Sequence, residues 1–224
     1  MDLARKLTEL YEALRERFGH RGWWPGETPF EVMVGAILTQ RTNWSNAEKA
    51  IAILREAGAL EPRVLASLEP ERLHELVRPA GYYRQKSARL GRLAGWLVDR
   101  AEGSVEALAD VSTEELREEL LALRGIGPET ADSILLYALE RPVFVVDTYT
   151  MRVVVRHGLL DPDAGYYELR DLFTSALPRD VALYEDYHAQ LVELGKRFCR
   201  SRPRCEGCPA RPVLGEPIPD EELL

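Results

Sequence analysis

The chain has 224 residues, 46% of them hydrophobic, enough to bury one large core or two small ones. Its formal net charge of -8 and pI near 5.2 speak at first against a polyanionic partner, although where the cations cluster counts for more than their sum. No apolar run is long enough to span a membrane, and the charged, amphipathic N-terminus lacks a signal peptide's apolar block, so a cytoplasmic protein without a membrane partner is expected. Its three cysteines all lie within "CRSRPRCEGC", which suits a reducing compartment and metal chemistry rather than disulfides.

In chain order the pattern is helical. Leu3, Leu7, Leu10, Leu14 and Phe18 recur at three- and four-residue steps until Gly19 stops the run. After the turn-rich "WWPGETP", helices are predicted over "FEVMVGAILTQ" and "NWSNAEKAIAILREAG", then over "PERLHELV", with Pro70 in its first turn. "YRQKSARLGRLAGWLVDRA" and "STEELREELLAL" follow, the latter opening on a capping box of Ser112 and Glu115. "PETADSILLYAL", "DTYTMRVVVRHG", "YYELRDLFTSAL" and "VALYEDYHAQLVELGKRFC" complete the series. Only "PVFVVD" reads as a strand, and one short strand makes no sheet, so the predicted class is all-α.

Two basic clusters interrupt the acidic background. Leu76 to Val98 holds no acid but carries Arg78, Arg84, Lys86, Arg89 and Arg92, and Lys86, Arg89 and Arg92 would share one helix face. Lys196, Arg197, Arg200, Arg202, Arg204 and Arg211 stand against the single acid Glu206. Either cluster alone reads as solvated surface; together they favour an anionic ligand.

"LALRGIGPETAD" places a glycine turn between two helices. Gly125 and Gly127 leave amides uncovered beside a helix N-terminus, which suits a phosphate oxygen, although an ordinary αα-hairpin would read the same way. What favours the phosphate is Asp147, delivered by an apolar run after the second helix.

"LRGIGPETADSILLYAL" followed by "FVVDTY" resembles the helix-hairpin-helix, Gly/Pro-rich loop and aspartate signature of the endonuclease III superfamily of DNA glycosylases. "FEVMVGAILTQRTNW" resembles that family's DNA-penetrating glutamine loop, and "CRSRPRCEGCPARP" its iron–sulfur loop. Within the superfamily, "WWPGETPFEVMVGAILTQRTNW", "VRPAGYYRQKSARL" and "GIGPETADSILLY" are most similar to the 3-methyladenine DNA glycosylase III branch.

The resemblance implies two helical domains with a cleft between them: residues 26–132, ending in the hairpin, and residues 1–25 with 133–224. It implies a monomer, cytoplasmic and nucleoid-associated, that flips damaged bases out of double-stranded DNA and hydrolyses them, with alkylated bases as substrate. Asp147 would be the catalytic carboxylate, stabilising an oxocarbenium-like sugar and orienting water, and an N-cap role is compatible with that. Gly125, Ile126, Gly127 and Thr130 would bind DNA, with a monovalent cation at the hairpin. Gln40 would be the wedge that replaces the flipped base; the plainer reading is a polar residue at a helix end.

Glu129 stands where bifunctional members carry the lysine that forms a Schiff base, and a carboxylate cannot form that imine. Glu129 also simply suits a helix N-terminus. Either way a monofunctional enzyme is expected. Trp23, Trp24, Pro25 and Trp44 match the base pocket of the resembling branch, where indole faces suit a methylated purine carrying positive charge, although tryptophans more often serve a core. The histidines show no partner pattern and read as structural, with His188 on a helix that passes near the pocket in that branch.

Cys199, Cys205 and Cys208 form C-x5-C-x2-C, whereas the family loop closes on a fourth cysteine; here that place falls near Leu214. Three outcomes are open: a [4Fe-4S] cluster whose fourth ligand is water or a carboxylate such as Glu216, a zinc ion, or a metal-free loop. The intact surroundings favour the cluster.

Overall fold

A computed structural model describes residues 3–21 and 24–219. Among the described residues the secondary structure is entirely helical. The elements are α1 (Leu3–Phe18), α2 (Pro29–Leu38), α3 (Trp44–Glu56), α4 (Pro62–Ser67), α5 (Pro70–Leu76), α6 (Tyr83–Ala101), α7 (Thr113–Ala122), α8 (Pro128–Tyr137), α9 (Thr148–Arg156), α10 (Tyr166–Thr174), α11 (Val181–Arg197) and the short α12 (Arg211–Leu214). The chain divides into two compact units, Trp24–Arg141 and Met1–Trp23 with Pro142–Leu224.

The central unit is built around α2. Thr28 caps it by accepting from the Glu31 amide at 3.1 Å, Pro29 fills its first position, and every later residue of the helix is buried. It packs on α3, α6 and α8. Because α8 as a whole packs on α2 and α7, the central unit runs to Arg141, not to the predicted boundary at 132, which would cut α8.

One sequence expectation fails here. Lys86 does not share an outward basic face with Arg89 and Arg92. Its side chain is buried, 1% exposed, and its ammonium donates to the carbonyls of Leu38 at 2.8 Å and Ala80 at 2.7 Å. It thus satisfies acceptors at the C-terminal end of α2 and in the turn before α6, where a buried cation also meets the negative end of a helix.

The second unit is organised on α11, against which α1 and α9 pack. The apolar stripe of α1 buries Leu7, Leu10 and Leu14 as the periodicity predicts. Asp186 of α11 is buried and accepts from the Tyr11 hydroxyl at 2.8 Å and the Arg21 amide at 2.7 Å, fixing the turn after α1. "PVFVVD" forms no strand and joins no sheet among the described residues. Its apolar character serves the core instead: Phe144 stacks on Phe173 at 4.2 Å and 5°, edge-on to Tyr184 and Tyr187.

Candidate active site and nucleic-acid interface

In the central unit α7 and α8 form the predicted hairpin. Arg117 on α7 grips the fully buried Asp132 on α8 with two bonds, at 2.6 and 3.2 Å, so the two helices are locked across the turn. Between them Gly125 has φ +100, closed to other L-residues, and a Cβ there would meet the Arg89 side chain at 2.5 Å. Ile126 is buried, so its side chain anchors the turn in the core. Gly127 caps α8 with extended backbone and stays exposed, as does Glu129 in the first turn, whereas Thr130 is buried. A helix N-terminus therefore faces outward through a glycine turn, a geometry that receives an anion.

Gln40 does not project from its turn. Its amide donates to Thr130 Oγ1 at 2.9 Å and to the Gly125 carbonyl at 3.2 Å, while its carbonyl accepts from Arg89. Arg92 adds a bond to the Arg124 carbonyl at 2.9 Å. Gln40 and the outer cations of α6 thus converge on the hairpin, a grouping that sequence spacing had not joined.

Trp24 packs edge-on against Trp44 at 5.8 Å and 88°, and leans on Tyr137 at 5.3 Å. Both indoles are partly exposed and Pro25 is exposed. Tyr137, which sequence reasoning left in a plain helix, completes this aromatic group; Trp23 lies outside the described residues.

Asp147 belongs to the second unit and caps α9. Its Oδ1 accepts from the Thr150 amide at 2.8 Å and the Thr150 hydroxyl at 3.0 Å. Its Oδ2 points instead at His188 Nε2, 3.7 Å away, and the two side chains are only 13% and 7% exposed. Burial pushes the Asp147 carboxyl up, but the His188 imidazole and the Thr150 donors outweigh it and hold the group below its ordinary value. The first turn of α9 comes this close to α11 because residue 195 is glycine: a Cβ there would strike the Tyr149 ring at 2.2 Å. His188, read from sequence as structural on a helix that passes near the pocket in the resembling branch, is the side chain that faces Asp147.

Cys199, Cys205 and Cys208 line one small cavity at the end of α9 and α11. Arg156 is buried beside it, its guanidinium 3.5 Å from Cys199 Sγ and bonded to the carbonyls of Arg200 and Ser201, at 2.5 and 3.0 Å. Burial raises the Cys208 thiol, opposed by the amides of Ala210 and Arg211. Glu216, the proposed carboxylate ligand, is paired instead with Arg211 at 2.7 Å. Among the described residues no three His, Cys, Asp or Glu side chains gather closely enough for one metal ion. A single zinc bound by all three thiolates is therefore a poor fit. Three cysteines spaced around a shared cavity suit a group in which each binds a different iron.

The model for HhH-GPD superfamily base excision DNA repair proteins matches residues 34–179, which include the glutamine turn, the hairpin and Asp147. The chain belongs to that family. A Methanocaldococcus jannaschii protein assigned by inference to the DNA repair glycosylases is 45% identical over 92% of this chain and 94% of its own. Endonuclease III of Thermotoga maritima is 34% identical over 80% and 79%. Among solved structures, Helicobacter pylori 3-methyladenine DNA glycosylase bound to 1,N6-ethenoadenine aligns with a TM-score of 0.76 at 30% identity, covering 88% of this chain and 98% of the other. The all-helical, two-domain architecture is that of the HhH-GPD glycosylases, and the protein is a DNA-binding glycosylase of base excision repair.

Proposed function

We propose that this protein is a monofunctional DNA N-glycosylase that hydrolyses alkylated bases from double-stranded DNA. The observation that carries the reading is the divided carboxylate of Asp147: one oxygen is spent on capping α9 and the other is held toward His188 in a nearly closed environment. A carboxylate kept ionised and rigid in this way stabilises the positive charge that builds on deoxyribose as the base departs. His188, on the far side of that carboxylate oxygen, orients it and the water it activates.

Glu129 supports the absence of lyase chemistry, since no amine stands at that hairpin position to attack the sugar. The endonuclease III reading, suggested by the Thermotoga relative, would need that amine. The likeness to the Helicobacter enzyme, and the Trp24–Trp44–Tyr137 group, support an electron-poor, alkylated purine as the base taken up. The hairpin amides receive a backbone phosphate, with a monovalent cation an additional expectation there, and the bonds from Gln40 hold the turn in shape. For Gln40 to act as a wedge in the duplex it must first release Gly125 and Thr130.

The cysteine cavity fits a [4Fe-4S] cluster held by Cys199, Cys205 and Cys208, with Arg156 offsetting the charge of the thiolates. When bound, such a cluster would cross-link the loop after α11 and fix its exposed arginines toward DNA.

The test is product analysis on duplex DNA treated with a methylating agent. Free methylated purines should appear while abasic sites stay intact until alkali is added. Strand breakage in step with base release, or a robust borohydride-trapped complex, would contradict the monofunctional reading.

A further inference from the structure

The cluster reading leaves one iron without a thiolate, and the structure offers a specific replacement. His157 ends α9, and its ring lines the same cavity as Cys199, Cys205 and Cys208. Its Nδ1 is shielded from solvent and has no hydrogen-bond partner. The ring also lies beside the Gly215 backbone. In the tautomer protonated at Nε2, Nδ1 carries the lone pair that a metal takes up.

The chain path explains why the ring is there. Gly215 adjoins Leu214, the place where the cysteine pattern calls for its missing member. The tail is folded back onto the end of α9 by the bond from the Ile218 amide to the Arg156 carbonyl, at 2.6 Å. His157 therefore lies beside Gly215, one residue from the place of the pattern's fourth cysteine, and lines the cavity of the other three. A ligating histidine usually donates its other ring N–H to a carbonyl or carboxylate, and the Gly215 backbone lies beside this ring.

We propose that His157 Nδ1 is the fourth protein ligand of a [4Fe-4S] cluster bound by Cys199, Cys205 and Cys208. The inference rests on the cluster reading above. An imidazole in place of a thiolate removes one negative charge from the site, so the cluster is easier to reduce than an all-cysteine one, as histidine ligation does in other iron–sulfur centres.

The test uses the full chain, reconstituted anaerobically with iron and sulfide. Iron and acid-labile sulfide are assayed first, and about four irons per chain are expected. Pulsed EPR of the reduced cluster should then show a strong nitrogen coupling that changes when the histidines are labelled with 15N. His157→Ala should lose that coupling and about one iron in four. His157→Cys should keep the full iron content, show no histidine coupling and have a lower reduction potential, and its retained iron shows that the loop still folds. A wild-type cluster with full iron and no histidine coupling would overturn the ligand assignment while leaving the cluster in place. Wild-type protein that takes up neither iron nor sulfide would overturn the cluster reading itself.

Discussion

Asp147 Oδ2 and His188 Nε2 stand 3.7 Å apart, joined across the start of α9 and the middle of α11, both nearly closed to solvent. The opposite oxygen of the same carboxylate is fixed by Thr150. The group is thus held in one orientation and below its ordinary protonation range despite burial.

This predicts the acid side of the pH profile. A lowered carboxyl stays ionised down to a pH below the ordinary aspartate range, so loss of activity through Asp147 sets in only there. Removing His188 leaves burial less opposed and raises the carboxyl. His188→Ala should therefore lower single-turnover base release by roughly tenfold or more and shift the acid limb to higher pH. Measured single-turnover rates across pH check both effects; a lower rate with an unmoved limb would assign His188 to packing alone.

The aromatic group yields a separable pair. Trp44→Ala should weaken excision of alkylated purines by about 1–3 kcal/mol, the usual worth of stacking on one base, with little loss of stability. Trp24 contacts both Trp44 and Tyr137, so Trp24→Ala should lower the thermal midpoint as well. Single-turnover kinetics and thermal unfolding on both variants distinguish these outcomes, and unchanged excision in Trp44→Ala would return that indole to the core.

Lys86 gives a stability prediction with a definite sign. Burial, with Arg89 nearby, pushes its pKa from 10.5 down to about 8. Between those values the unfolded chain holds a proton that the folded chain has lost, so stability rises as pH goes from about 8 to 10.5, and the gain is absent below about 8. The increment is roughly 3 kcal/mol and should be missing from Lys86→Met. Urea unfolding of both proteins across that range measures it; parallel curves would show that Lys86 is not desolvated.

Much of the fold was legible because helix periodicity and caps are local. The Leu7–Leu10–Leu14 stripe, Pro128 opening α8 and Ser112 accepting from the Glu115 amide all stand where the pattern put them. Lys86 was misread because three-residue spacing reports a shared face and not which side of that face is buried. "PVFVVD", read as a lone strand that makes no sheet, forms no strand and fills a core instead, a distinction its apolar pattern does not carry. Of the candidate site, the hairpin glycines and Asp147 were visible as motifs. The His188 contact, the Gln40–Arg89 clamp and the His157 position were not, since each joins residues far apart in sequence with no fixed spacing.

The central claim is that Asp147 supplies the chemistry of base release, and one comparison tests it most directly: single-turnover base release by wild type and Asp147→Asn on methylated duplex DNA, with duplex binding measured alongside. Asparagine retains an oxygen that can cap α9 but not the charge. The account predicts at least a hundredfold loss of base release, the scale of removing one electrostatic stabiliser of a transition state, with DNA binding retained or strengthened. Base release near the wild-type rate would contradict it.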